Sequence, residues 1–309
     1  MRKRNKLILI LSVFLLAGIA SVYGFKHYFS ISDIPQSALS LVTEKKENSS
    51  LPPRDPVLLG RAEVSFAGGV INRNNNIELG IARINGTVIP PGAEFSFLKT
   101  LGPVLETDGF KEAKSFYNGE VVLGLGGGLC HVSTTLFQSV LQAGLPITER
   151  HNHTFTVPYY KPGLDATISS AGPDLKFIND TVYDLTIKGY TKDKVAIFEI
   201  YGVKDGRVPK ISDVEVYDWK SPPPTQFIPS RDLAVGERKC EQARQGGFTA
   251  KRIYDVVYSP EITKQQIFES TYKSLPRICH IGVDDKTDFT GCNIYTAYSR
   301  LTGAQCPKD

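Results

Sequence analysis

Gly124-Leu125-Gly126-Gly127-Gly128-Leu129-Cys130-His131-Val132-Ser133-Thr134-Thr135-Leu136 is the stretch on which the reading of this chain turns. Val132, Leu136 and Val140 recur at spacing four, Phe137 and Leu141 widen the stripe, and Gly144 precedes Leu145-Pro146. That pattern predicts a helix running to Gly144, with one apolar face laid on a sheet. The glycine-rich turn delivers Cys130 into the helix's first turn. Unpaired backbone N–H groups and the positive end of the helix dipole favour a thiolate there, and the thiolate is the nucleophilic form. A small buried cysteine that merely packs would occupy the same place, because free cysteines are usually buried. The rest of the chain has to decide between the two.

The other four cysteines, Cys240, Cys279, Cys292 and Cys306, all fall in the last quarter of the 309 residues. In an exported chain they make two disulfides, for which three connectivities exist. Cys240 with Cys279 and Cys292 with Cys306 is the favoured set, leaving Cys130 as the lone thiol. Export is indicated by Arg2, Lys3, Arg4 and Lys6, a basic flank over residues 1–6 that precedes an uncharged apolar run over 7–25. Nineteen such residues are long enough to span a bilayer as a single-pass anchor with the remainder outside the cytoplasm. A cleaved signal peptide and a secreted product is the alternative. Residues 26–60, with Ser49-Ser50 and Pro52-Pro53, read as a stalk. The remainder is long enough for two domains, 61–202 and 203–309, with a composition break at Ser221-Pro222-Pro223-Pro224. The net charge of +4 is modest and spread along the chain, so nucleic acid is not an expected partner.

Between 61 and 202, Asn76 to Asn85 reads as a short helix. Phe95 to Phe97, Val121 to Leu123, Asp174 to Ile178, Leu185 to Lys188 and Val195 to Tyr201 read as strands. The expected class is α+β: a mixed helix and sheet domain, then a small disulfide-bonded all-β module with a hairpin over Phe248–Tyr258 and Gln266–Tyr272, all behind the N-terminal membrane helix.

A thiol nucleophile needs a base. His131 is adjacent to Cys130 in sequence, and neighbouring side chains diverge on a helix. His151 and His153 lie in a segment leading into Thr154 to Tyr160, which reads as extended and would return alongside Cys130. Period-two alternation puts both histidines on one side and does not choose between them. Asp165 is placed to hold the imidazole tautomer, unless it is an ordinary turn carboxylate in Gly163-Leu164-Asp165. Zinc bound by Cys130, His151 and His153 would lack any short ligand pair such as Cys-x-x-Cys, so neither a metal nor a cofactor is expected.

Several motifs in order give the chain a resemblance to the VanW family. They are Asn76-Ile77 with Ile84-Asn85-Gly86, Pro91-Gly92 with Phe95-Ser96-Phe97, Gly126 to Cys130 with Ser133 to Leu136, Ala143-Gly144-Leu145 with Glu149-Arg150, and His153 with Tyr159 and Gly163-x-Asp165-Ala166. His131 departs from the family, which typically has Gln there. The region after 203 resembles the glycine-containing β module often appended to such domains. The resemblance implies a cell-wall protein and, for some members, an L,D-transpeptidase acting on peptidoglycan stem peptides through a cysteine acyl-enzyme. Carried over, Cys130 is the nucleophile, His153 the base, and Asp165 its orienting carboxylate. Backbone N–H groups of the Gly126, Gly127 and Gly128 turn and of the helix start would hold the oxyanion, and Tyr159 would lie on the substrate side. Arg150 would meet a substrate carboxylate, or else pair with a neighbouring acid. Hydrolysis would use the same acyl-enzyme. The other class is a non-catalytic peptidoglycan-binding or scaffold protein linked to a cell-wall or glycopeptide response.

Overall fold

Most of the regular structure lies in strands, several only two or three residues long, too short to announce themselves by alternation. The structure, a computed structural model, describes residues 54–117, 120–170, 172–240 and 244–284. The apolar run at 7–25, Cys292 and Cys306 lie outside them. Among the described residues no helix is long and apolar enough to cross a membrane.

Chain order runs β1 (Val57–Ser65), α1 (Ile71–Ile84), β2 (Val88–Ile89), β3 (Glu94–Ser96), α2 (Phe97–Leu101), β4 (Glu112–Tyr117), β5 (Glu120–Leu125) and α3 (Leu129–Gln142). It continues with β6 (Ile147–Glu149), β7 (Lys176–Ile178), β8 (Leu185–Lys192) and β9 (Val195–Gly202). Four antiparallel strands form the main sheet in the order β1-β9-β8-β2, and α1 and α3 pack on it. A smaller sheet, β3-β7-β6, lies beside them, and the β4-β5 hairpin feeds directly into the glycine turn before α3. β1 starts at Val57, within the stretch read as stalk.

Beyond Gly202 come β10 (Val208–Ile211), β11 (Glu215–Lys220), β12 (Gln226–Ser230), β13 (Arg238–Cys240), β14 (Gly247–Ser259), β15 (Ile262–Tyr272) and β16 (Ile278–Gly282). β14 and β15 form a long antiparallel hairpin flanked by β10 and β11. In the second sheet, β12-β16-β13, Cys240 and Cys279 face each other across the β13–β16 ladder and are disulfide-bonded. The hydrophobic core is continuous across residue 202, because Tyr254, Val256 and Phe268 of the hairpin join Phe137, Leu141 and Leu145 in one buried cluster. The Tyr254 hydroxyl also shares its proton between the Leu141 and Leu145 carbonyls, at 3.1 and 3.2 Å, tying the hairpin to the C-terminal end of α3.

The α+β expectation is corrected here. Of the described residues 42% are strand and 16% helix, the latter with three α-helices, so the structure is mostly β. The strong 3.6-residue periodicity of α3 outweighed short strands whose pairing partners are distant in sequence. The segment Thr154 to Tyr160, expected to be extended, forms no strand and crosses the site as an irregular loop.

Candidate active site

Within α3 every residue is buried except Cys130 and Gln142. Its apolar stripe meets the sheet, and the opposite side is covered because its polar residues bond a neighbouring segment. Ser133 Oγ and Thr134 Oγ1 donate to the Ala166 carbonyl at 2.6 and 3.2 Å, the Ala166 amide returns a bond to Thr134 Oγ1, and Gln138 Nε2 donates to the Leu164 carbonyl. These bonds lay residues 164–168 along the helix. Asp165 and Thr167 are thereby brought to the level of Cys130.

The glycine turn ahead of α3 is held by Asn76, whose amide nitrogen donates to the Lys111 and Gly127 carbonyls while its oxygen accepts from the Lys111 amide. A Cβ at Gly127 would lie 2.6 Å from the Ala113 carbonyl oxygen, so no larger residue fits. Gly128 takes φ 114°, a left-handed conformation that favours glycine. The amides of Gly126 and Gly127 are already committed to the Lys111 and Gly124 carbonyls. Of the turn and helix-start donors expected at an oxyanion, those without a backbone acceptor here are Gly128 N–H and Cys130 N–H. The latter is one of the orphan amides every helix start carries.

Cys130 is half-buried, with Sγ 3.5 Å from Thr167 Oγ1 and 3.6 Å from the Ile168 carbonyl. It opens on a cavity of about 520 Å³ that His153, Tyr159, Arg73 and Gly128 also line. The His153 ring is 4% exposed, its Nδ1 donates to Asp165 Oδ2 at 2.7 Å, and the imidazole lies near enough to Cys130 to act on the thiol electrostatically. The His153 amide donates to the same carboxylate oxygen at 2.7 Å. Cys130, His153 and Asp165 therefore stand in a chain, thiol to imidazole to carboxylate. His151 is elsewhere: it is half exposed and paired with Glu149 Oε1 at 3.2 Å. The zinc set Cys130, His151 and His153 is not assembled.

The electrostatics follow from this order. Burial pushes the Cys130 thiol up, but the neighbouring His153 imidazole, with contacts from Ile168 and Thr167, more than reverses it, so the thiol ionises below its usual value. Burial pulls the His153 imidazole down; Asp165 and the thiolate outweigh that and raise it to about 9. Burial likewise opposes the Asp165 carboxylate, which His153 and Arg150 nevertheless hold below the usual range. The favoured state is a thiolate beside an imidazolium. Burial, with the nearby thiolate, keeps the Tyr159 phenol protonated far above neutral pH.

Arg150, read either as a substrate contact or as an ion-pair partner, is the latter. It is 4% exposed, bonds the Asp165 carbonyl at 2.6 Å and Oδ1 at 3.1 Å, and donates to Ser270 Oγ at 2.6 Å. The Tyr272 hydroxyl also donates to Asp165 Oδ1, at 2.5 Å, and accepts from the Gly163 amide. Sequence reasoning missed Ser270 and Tyr272, both on β15, because Tyr272 reaches the carboxylate, and Ser270 its partner Arg150, from more than a hundred residues away. It also missed Arg73, whose Nη2 lies 3.3 Å from His131 Nδ1. The signal available was an arginine in the first turn of a helix, where the dipole disfavours a cation. His131 is buried between Arg73 and the Val64 carbonyl, with Nε2 3.3 Å from that oxygen, and has no contact with the thiol.

Residues 72–201 match the family described as VanW like protein. Over 155 residues the chain is 37% identical to Uncharacterized protein YoaR of Bacillus subtilis (strain 168), covering 50% of this chain and 51% of that one. Over 138 residues it is 32% identical to Vancomycin B-type resistance protein VanW of Enterococcus faecalis (strain ATCC 700802 / V583), covering 43% and 50%. The chain thus spans about half the length of the curated relatives it matches. A solved IgA1 protease G5 domain aligns at 20% identity over 26% of this chain and 100% of its own, with a TM-score of 0.17, too low to bear on the fold. Residues 72–201, which contain Cys130, His153 and Asp165, thus form a domain of the VanW family.

Proposed function

We propose that this is an extracytoplasmic cell-wall protein whose VanW-like domain transfers acyl groups between peptidoglycan stem peptides, as a cysteine L,D-transpeptidase. The cell-wall setting is supported by kinship with a protein named for vancomycin resistance. The chemistry is supported by one observation above the others: a thiol, a buried imidazole and a buried carboxylate arranged in series at the wall of a cavity.

The Cys130 thiolate attacks the carbonyl carbon of the third stem residue, forming a C–S bond. Gly128 N–H and Cys130 N–H receive the developing oxyanion, a contribution of about 3 kcal/mol per donor in comparable sites. His153 gives its proton to the D-alanine nitrogen as the C–N bond breaks. The acceptor amine then attacks the thioester, His153 takes the amine's proton, and the thiolate departs. Asp165 does not react. It holds the imidazole through Nδ1, which leaves the other ring nitrogen for the thiol.

Mass spectrometry of the purified protein with disaccharide tetrapeptides tests this. Cross-linked dimers with release of D-alanine, absent for Cys130→Ala, are expected. Release of D-alanine without dimers would make the protein a hydrolase, and neither product nor a covalent adduct on Cys130 would leave a binding protein.

A further inference from the structure

Apart from the Cys130 sulfur itself, the cavity carries charge of one sign. Its lining contains Arg73 and Lys114 and no aspartate or glutamate. Among the described residues, the other half-buried or buried arginines spend their donors within the protein. Arg61 is paired with Glu63 and Glu199, Arg83 with Asp108, Arg150 with Asp165 and Arg207 with Asp180 and Asp205, while Arg252 donates to the Pro162 and Ser212 carbonyls. Arg73 has His131 Nδ1 at 3.3 Å and the Tyr159 ring at 5.9 Å from its guanidinium carbon, and no carboxylate pairs with it among the described residues. A guanidinium withdrawn from water without an anion is costly, so its presence needs an explanation outside the folded chain.

Its surroundings hold it still. A Cβ at Gly128 would sit 3.0 Å from Arg73 Cγ and 3.1 Å from its carbonyl oxygen, so the glycine lets the stem lie against the turn that presents Cys130. Burial, with the charge of Arg73, lowers His131 to about 4. A neutral imidazole with its Nε2 proton on the Val64 carbonyl offers Nδ1 as an acceptor to the guanidinium.

We infer that Arg73 is a carboxylate anchor, through which the cavity binds a peptide carrying a free carboxylate beside Cys130, with Lys114 adding positive charge at the exposed side. The planar fork of a guanidinium matches a carboxylate in two parallel hydrogen bonds, which fixes orientation as well as affinity. On the acyl-transfer reading, on which the placement beside the reacting carbonyl rests, two carboxylates qualify: that of the terminal D-alanine, and a side-chain carboxylate on the third residue. Both present the same group to Arg73.

Calorimetric titration of the Cys130→Ala protein, which binds without turnover, separates these. The probes are a tetrapeptide with both carboxylates free, one with the terminal group amidated, one with the side-chain group amidated, and the diamide. The free acid is expected to bind about 10- to 100-fold more tightly than the diamide. The mono-amide that loses affinity identifies the source. Arg73→Met should abolish the acid preference, and Arg73→Lys should keep part of it. Equal binding of acid and diamide, or no binding of either at millimolar concentration, overturns the inference, as does an acid preference that survives Arg73→Met. Acid-selective, Arg73-dependent binding in a protein whose Cys130 form makes no product would instead sustain the anchor and overturn the acyl-transfer reading.

Discussion

At the residue scale the site is a thiol whose ionisation is governed by one imidazole, and its behaviour with pH follows. Below the depressed pKa of Cys130 the thiol is protonated and inert; above about 9 His153 has lost the proton the leaving amine requires. The rate at low substrate is therefore expected to rise as the thiol ionises and to fall through about pH 9, measured as kcat/KM across pH 4 to 11. His153→Ala should cost about 10²- to 10⁴-fold in that quantity. His151→Ala, a change on an exposed side chain, should stay within about twofold; equal losses would place the base elsewhere. The same pKa bears on stability. His153 is raised from 6.5 to about 9 in the folded protein, so its contribution is fully present below pH 6.5 and is lost as pH rises through about 9. The gap in melting temperature between the native protein and Asp165→Asn, followed from pH 5 to 10, should narrow over that interval, leaving the part that Arg150 contributes. Cys130 and its helix were legible because the glycine turn and the apolar repeat are local. The choice of His153 over His151 came from family resemblance, because alternation treats the two alike. The structure separates them by folding Thr154 to Tyr160 as an irregular loop, which leaves His151 facing Glu149.

At the element scale α3 shows why a helix with a polar face can be wholly inside a protein. Ser133, Thr134 and Gln138 would read as solvent-facing, yet each is satisfied by a carbonyl of residues 164–166. A sequence records which residues have polar groups but not which distant carbonyls they will meet, so this half of the site was not readable. Thr134→Val removes both the donor to the Ala166 carbonyl and the acceptor for its amide, leaving a buried polar group unpaired. A loss of roughly 1–3 kcal/mol in urea unfolding is expected. Gly127→Ala should do more, because the added methyl group meets backbone rather than a side chain that can move. Its expected signature is loss of soluble protein or a strongly lowered melting temperature. An unchanged melting temperature would show that the turn is looser than its packing implies.

At the scale of the whole molecule the family match ends at residue 201, and the physical unit does not. The buried cluster passes from α3 into the β14–β15 hairpin, Tyr272 and Ser270 hold the Asp165–Arg150 pair, and Tyr254 closes the far end of the thiol helix. Hairpins supply the β14–β15, β8–β9 and β4–β5 ladders, while β1–β9, β2–β8 and β3–β7 join strands far off in sequence. Local patterns foresaw the hairpin itself and missed what it touches. Tyr272→Phe deletes one hydrogen bond to a charged group and should lower kcat by about 10- to 100-fold while KM for the tetrapeptide holds; a change in KM alone would mean the hairpin shapes the cavity rather than the carboxylate. The hairpin's hold on both ends of α3 also makes the nucleophile a reporter. Alkylation of Cys130 along a urea gradient would register the opening of residues 247–272, so a single thiol, read chemically, would track the folding of strands that carry no reactive group of their own.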